Sequence, residues 1–480
     1  MQLPLRLYAG YAALALISLL AGIGSGHYWV AGLPLLLLVV GLAILNFRPL
    51  FWLLLISIPL GAEVFLPGGL STDLPTEPIA VGLSAVFLLH LARHWAEYDH
   101  RTFLHPIALL LYLHVGWIFL SSIFAEDPLV SVKFLLAKLW YVGAFFMLPL
   151  LLLRTPKTVY VFAQCIFWPL LFVAVQALVR HAGYGFTFAD QFRTLHPFMR
   201  NHVAYAGCLA TFTPWLGYLV FRRRLTAQPW RWMVLGLVPL WLMAIFFSYT
   251  RAAYVSLGLI VVAYYIIRYN WLRPATVLAF VMAVTVSVYL VQDDRYLDYA
   301  PEFTSTVSHR EFDNLISATY KLEDISTMER FYRWVAAGNM IPYRPVTGFG
   351  PGNFVGNYEG YTNNNFETYV SDNAERSGIH NYFLMTLVEQ GYPGLFVLLL
   401  FMGSILFFGQ RLYLLQSDPE AKAAMMAALL AVIVVGAFSV LNDLLETDKV
   451  GSLFFISTAI LINMGHYRSP IQEIVGPPVK

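Results

Sequence analysis

Apolar runs of about 20 residues recur along nearly the whole chain, each long enough to cross the ~30 Å hydrocarbon core of a bilayer. Hydropathy places them near 7–24, 29–46, 49–62, 78–93, 106–123, 132–153, 158–179, 200–221, 231–248, 252–268, 273–291, 380–408, 421–441 and 450–466. Inside hydrocarbon every backbone N–H and C=O must be satisfied within the protein, so runs of this length imply helices. A transmembrane barrel would show short alternating segments instead. Composition agrees: 59% of the 480 residues are hydrophobic and 12% charged, against roughly 25% charged in a soluble domain. The expected fold is all-α, a polytopic membrane helical bundle of about 12–14 transmembrane helices, with one large, partly helical loop. Arg6 precedes the first run without a small-residue cleavage site, so that run reads as a retained helix. Cys165 and Cys208 both lie in apolar runs and argue for neither a disulfide nor a metal site. The net charge of +2 carries no message, and no basic stripe suggests nucleic acid.

Charge sets the orientation. Arg48, Arg93 with Arg101, Arg154 with Lys157, Arg222 to Arg224 with Arg231, Arg268 with Arg273, and Arg411 with Lys422 fall in alternate connections. The short connections between them are acidic or neutral, with Glu63, Asp73 and Glu77, then Glu126 and Asp127, then Asp443, Glu446 and Asp448. The positive-inside rule therefore places both termini in the cytoplasm. The organisation expected is a transmembrane region over 1–291, an outer loop domain over 292–378, C-terminal transmembrane helices over 379–466 and a cytoplasmic tail over 467–480. The 180–199 connection, the Ser248–Arg251 turn and the start of the His380 helix share the outer side with the loop.

Within the loop, Ser326 and Glu329 have capping-box spacing and predict a helix running to about Met340 and ended by Pro342, with Phe331, Trp334 and Val335 on its apolar side. After it comes P-V-T-G-F-G-P-G-N-F over 345–354, whose glycines permit turns that other residues resist. The run 358–369 mixes aromatics with amides, a composition suited to sugar contacts and equally to an exposed loop.

Four outer elements carry groups able to do chemistry: Arg200, Asn201 and His202 in M-R-N-H-V-A-Y; Ser248, Thr250 and Arg251 in S-Y-T-R-A-A-Y; Arg330 and Arg333 in E-R-F-Y-R-W; and His380 with Asn381. Guanidinium forks at a membrane surface suit a phosphate ligand, although an arginine at a span end also serves as a headgroup anchor or carboxylate partner. A histidine exchanges protons near neutral pH and can act as base toward a hydroxyl. Glu389, about 14 Å beyond His380 at helical rise, lies on the opposite face and reads as the partner of another buried polar group. There is no H-E-x-x-H, no paired-Asp motif, no cysteine cluster and no G-x-x-x-x-G-K-[ST], so neither a protein-held metal nor any other cofactor is expected.

In order, S-Y-T-R, Arg330 four residues before Trp334, P-x-x-G-x-G-P-G-N-F, and H-N-x-x-L-x-x-L-x-E-x-G-x-x-G from His380 to Gly394 resemble the O-antigen ligase and polymerase superfamily of bacterial envelope enzymes. The resemblance covers about 200–395; Thr250 and Ala252 depart from the more usual Ser and Gly beside Arg251.

That resemblance implies a glycosyltransferase of the bacterial inner membrane, working at its periplasmic face. The donor would be a glycan on undecaprenyl diphosphate and the acceptor lipid A-core, with inversion and without a metal or nucleotide sugar. The implied roles put Arg251 and Arg330 with His380 in the catalytic set, His380 as base. Arg200, Asn201, His202, Arg333 and Asn381 would bind substrate. A polymerase using a second lipid-linked repeat and a protein O-oligosaccharyltransferase share these motifs. A lipid-linked glycan transporter would instead show charges lining a path from both faces, or repeated halves.

Overall fold

The structure, a computed structural model, describes residues 5–25, 34, 41, 46–66, 70–98, 100–188, 190–221, 228–292, 325–363, 373 and 377–468. Its main helices are α1 (Leu5–Ser25), α2 (Arg48–Leu60), α3 (Thr76–His94), α4 (Pro106–Ile123), α5 (Pro128–Leu152), α6 (Pro156–Gly183), α7 (His202–Phe221), α8 (Gln228–Phe246), α9 (Arg251–Arg268), α10 (Leu272–Val291), α11 (Ile325–Met340), α12 (Tyr382–Leu415), α13 (Pro419–Leu441) and α14 (Asp448–His466). Nine helices among the described residues are long and apolar enough to cross a membrane. The protein is a multi-pass helical membrane bundle. The apolar runs proposed from sequence fall on these helices, except 29–46, which lies almost wholly outside the described residues. One local departure is an antiparallel hairpin, β1 (Ala62–Leu66) with β2 (Leu70–Leu74), pairing Glu63 with Asp73 where sequence suggested only an acidic connection.

Helices that are apolar all round belong inside a bundle. α13 and α14 are such helices: α14 is buried continuously from Asp448 to Met464. Its Asn463 amide donates to the carbonyls of Pro149, Leu150 and Leu153, at 3.1 Å each, and so serves the orphan acceptors at the end of α5. Trp215 of α7 donates to Ser457 at 3.3 Å. α10, by contrast, leaves Val277, Leu278, Phe280 and Met282 exposed, as a helix facing hydrocarbon would.

The described part of the loop folds back onto the bundle. α11 ends at Met340, where Ile341–Tyr343 tightens into a 3-10 turn containing Pro342. Its buried stripe is Tyr332, Ala336, Ala337 and Met340, while Phe331, Trp334 and Val335 are only half-buried. The expected capping box involves the Ser326 side chain, which lies outside the described side chains; Glu329 instead pairs with Arg333 at 3.2 Å.

The glycine segment docks against α12 through backbone. Phe349 N–H donates to Val388 O at 3.0 Å, Gly350 N–H to Glu389 O at 2.9 Å and Tyr392 N–H to Pro345 O at 2.8 Å. Gly348 and Gly391 both have left-handed φ, +68° and +70°. A Cβ on Gly348 would fall 2.2 Å from the Glu389 carbonyl carbon, and one on Gly391 2.2 Å from Val346 O. Glycine is required here by both conformation and space.

Gly391 also bends α12 sharply. Tyr382 sits with Lys138, well along α5, since both bond Glu446. Glu389 instead reaches Gly352, whose neighbour Asn353 bonds Asp127 and Ser131 at the start of α5. Past the bend, Gly394 lies against Trp117 and Phe408 against His105 of the α4 entry. The first two turns of α12 therefore climb toward the loop-bearing end, and the rest descends along α4. His380 lies at the base of the climb, below the α4–α5 turn and within the bundle mouth.

We expect Gly391→Ala to deplete folded protein, because a left-handed alanine with its Cβ against a carbonyl costs more than about 1 kcal/mol. Gly436→Ala, with open space around its Cβ, should leave thermal unfolding in detergent unchanged.

Candidate active site

The site is assembled from the beginnings of helices and the connection between α13 and α14. His380 has left-handed backbone, φ +56°. Such conformations are uncommon for non-glycine residues and persist where surroundings hold them. Here the preceding residues are gripped by α11: Trp334 Nε1 donates to Ile379 O at 3.1 Å and Arg333 donates to Gly378 O at 3.4 Å. On the following side, Asn381 Oδ1 accepts from Leu384 N–H at 3.0 Å and caps α12. His380 is thus fixed between two anchors.

Its Nδ1 is buried without a hydrogen-bond partner and faces Asp443 Oδ1 at 3.9 Å, while the side chain as a whole keeps 30% exposure. Burial, with the charges of Arg330 and Arg333, pushes the imidazole pKa down from 6.5 to about 3. Asp443 itself is pushed above the ordinary carboxylate value, chiefly by burial. Its carboxylate occupies the space beside Gly378, where a Cβ would lie 2.6 Å from Oδ2. Asp443 was read from sequence only as an acidic mark of membrane side. Its signal as a site residue lies in space, 63 residues from His380 in the chain.

Three residues along the same short connection, Glu446 takes 2.6 Å bonds from Lys138 Nζ and the Tyr382 hydroxyl. Lys138 is almost wholly buried, with Phe134, Phe455 and Tyr382 rings 5.6–6.0 Å from its ammonium. A charge so deep requires a paired partner. This pair ties α5, the first turn of α12 and the α13–α14 connection together beside His380.

The sequence-expected residues separate into groups. Arg330 extends across the mouth, its Nε donating to Leu441 O at 3.3 Å, and its charge acts on both His202 and His380. Thr250 Oγ1 donates to His202 O at 3.4 Å, which sets the turn before Arg251 against the start of α7. In that turn Ser248 donates to Ile245 O at 2.6 Å, and Tyr249 has left-handed φ, +51°. Arg251 is half-buried at the first position of α9. Arg330, His202, His380 and the Arg251 turn are therefore neighbours. Arg333, almost wholly buried, binds Glu329, Asn373 and Gly378 O. Arg200 gives its fork to Glu63 of β1, with Nε at 2.9 Å from Oε2 and the other arm on Oε1. Asn201 caps α7 by accepting from Ala204 N–H at 2.8 Å.

Glu389 is buried on the climbing segment and accepts from Gly352 N–H at 2.8 Å and Phe354 N–H at 3.1 Å. It holds the glycine segment rather than facing His380. Of the aromatic and amide run, only 358–363 is described: Tyr358 is buried and Tyr361 packs on Tyr343 with ring centres 5.1 Å apart. Among the described residues no cluster of three or more His, Cys, Asp or Glu could hold a metal ion.

Residues 235–399 match the family model described as O-antigen ligase. This segment is similar to the O-antigen ligase family. It contains Arg251, Arg330, Arg333, His380, Asn381 and the Glu389-bound glycine segment, and leaves Arg200, His202 and Asp443 outside its limits. Comparison with curated proteins gave no match.

We expect Arg333→Ala to cost about 3 kcal/mol, the scale of breaking a buried ion pair, here the one with Glu329. Hydrogen exchange should then speed up at residues 377–380, where Arg333 and Trp334 hold the chain.

Proposed function

We propose that the protein is a glycosyltransferase of the bacterial inner membrane that moves a glycan from undecaprenyl diphosphate to an acceptor hydroxyl, lipid A-core, at the periplasmic face. Both termini would then be cytoplasmic, and residues 292–378 a periplasmic loop domain. The observation that carries the reading is a histidine with left-handed backbone and a buried Nδ1 that has no hydrogen-bond partner, at the bundle mouth beside Arg330 and the Arg251 turn, within the segment that matches the O-antigen ligase model.

In this reading Arg251 and Arg330 face the diphosphate, and His202 lines the space between them. His380 takes the proton of the acceptor hydroxyl as its oxygen attacks the anomeric carbon. The bond from that carbon to the diphosphate oxygen breaks, its electron pair leaves with the diphosphate, and the carbon inverts. Asp443, opposite Nδ1, stabilises the imidazolium as it forms, while Nε2 meets the acceptor. The arginines neutralise charge growing on the leaving group, a preorganised electrostatic contribution. Arg333 and Asn381 serve indirectly, by fixing the chain on either side of His380. Arg200 would join the diphosphate only on giving up Glu63.

The proton inventory makes a distinctive expectation. Free enzyme keeps His380 neutral far below pH 6.5, so the acid limb of kcat/KM should lie toward pH 3. Bound diphosphate offsets the guanidinium charges, raises the pKa and moves the acid limb of kcat to higher pH, since kcat reports the substrate complex. Coincident limbs near 6.5 would remove the proposed environment.

With purified protein, a lipid-linked donor and lipid A-core in detergent, His380→Ala should lower kcat by about 10²- to 10⁴-fold, the usual worth of a general base. Arg251→Lys keeps charge but loses the fork, and should weaken donor binding with acceptor KM unchanged. Full transfer by His380→Ala would sink the mechanism. Sugar appearing on the carrier as longer chains, or on a protein, would reassign the acceptor.

A further inference from the structure

A groove of about 420 Å3, within the usual range of ligand pockets, lies between the end of α8 and the start of α9. Its walls are Leu242, Met243, Ile245, Phe246, Tyr254 and Leu257. Leu242, Met243 and Phe246 are exposed, so the groove opens on the flank of the bundle. The Phe246 and Tyr254 rings stack with centres 6.2 Å apart, and the Tyr254 hydroxyl donates to Phe246 O, which fixes that wall. Tyr254 and Leu257 follow Arg251 by three and six residues, roughly 4.5 and 9 Å along α9. One end of the groove thus abuts the turn that carries Arg251, while its lining is apolar.

We propose that this groove receives the first isoprene units of the donor's hydrocarbon tail, which leaves the bundle sideways between α8 and α9 while the diphosphate stays at Arg251. The proposal rests on the donor reading above. A cation followed by an apolar wall matches the polarity of a polyprenyl diphosphate from head to tail. A glycan is a poor occupant, because the lining offers it no charged group and its one hydroxyl is already bonded to Phe246 O. A phospholipid shares the phosphate and the apolar chain, and the second probe below distinguishes it from the polyprenyl donor.

The test uses the full chain in nanodiscs with an eleven-isoprene polyprenyl diphosphate carrying a diazirine on its second isoprene, and, separately, phosphatidylglycerol carrying one on an acyl chain. We expect the prenyl probe to label Met243, Phe246 or Leu257 and to be displaced by unmodified polyprenyl diphosphate, with the phospholipid labelling the groove far less. Equal labelling by both probes, or prenyl labelling elsewhere, overturns the proposal. In turnover, Leu257→Trp should raise KM for an eleven-isoprene donor about tenfold, the scale of two methylenes denied burial. A donor with a methyl group in place of the isoprenes should keep its KM; an equal change for both donors, or none, counts against the groove. Transfer with label elsewhere removes the groove and leaves the transferase. Label in the groove without transfer does the reverse.

Discussion

A carboxylate deprived of water must find donors or become a liability, and Glu389 finds two backbone N–H groups in the glycine segment. The rest of the loop-bearing end depends on that bond. Glu389 can reach Gly352 because Gly391 lets the helix turn over, and the segment can lie flat because Gly348 has no side chain between the two backbones. Ser121 seals the junction by donating to Thr347 O at 2.5 Å and Glu389 O at 3.1 Å. Three separated stretches of sequence thereby become one rim, and α12 acquires a short limb with His380 at its foot.

Beneath that rim the polar groups form a ladder in which each rung has a neighbour. Asp443 faces His380, Glu446 bonds Tyr382 and Lys138, and Lys449 contacts Asp448, Asp73 and the Gly61 carbonyl. Buried charges of this kind are costly when broken and contribute little as net stability, so their value lies in fixing geometry. Every rung comes from the start of α14 or the connection before it, which makes that short stretch the spine of the site.

The apolar runs made the membrane bundle legible, because helix length against bilayer thickness is a local property. The helix ended by Pro342 was legible for the same reason. Glu389 could be read as a structural partner, since burial and spacing alone excluded it from the His380 face, but its partners lie 35–37 residues away and need the fold to be seen. Asp443 and Lys138 carried no local mark: one resembled an ordinary surface acid and the other an isolated cation in an apolar run. Arg200 and Arg333 resembled Arg330 in sequence, yet the fold gives the first to Glu63 and the second to Glu329 and Asn373. Likeness of residue type does not carry likeness of surroundings.

Three helices begin at this mouth: α7 at His202, α9 at Arg251 and α12 just beyond His380. Each peptide column ends in roughly half a positive elementary charge at its first turn. The bundle therefore directs three positive poles into the same recess as its guanidinium groups. Much of the field there belongs to the backbone, which no side-chain replacement can remove and no change of pH can titrate.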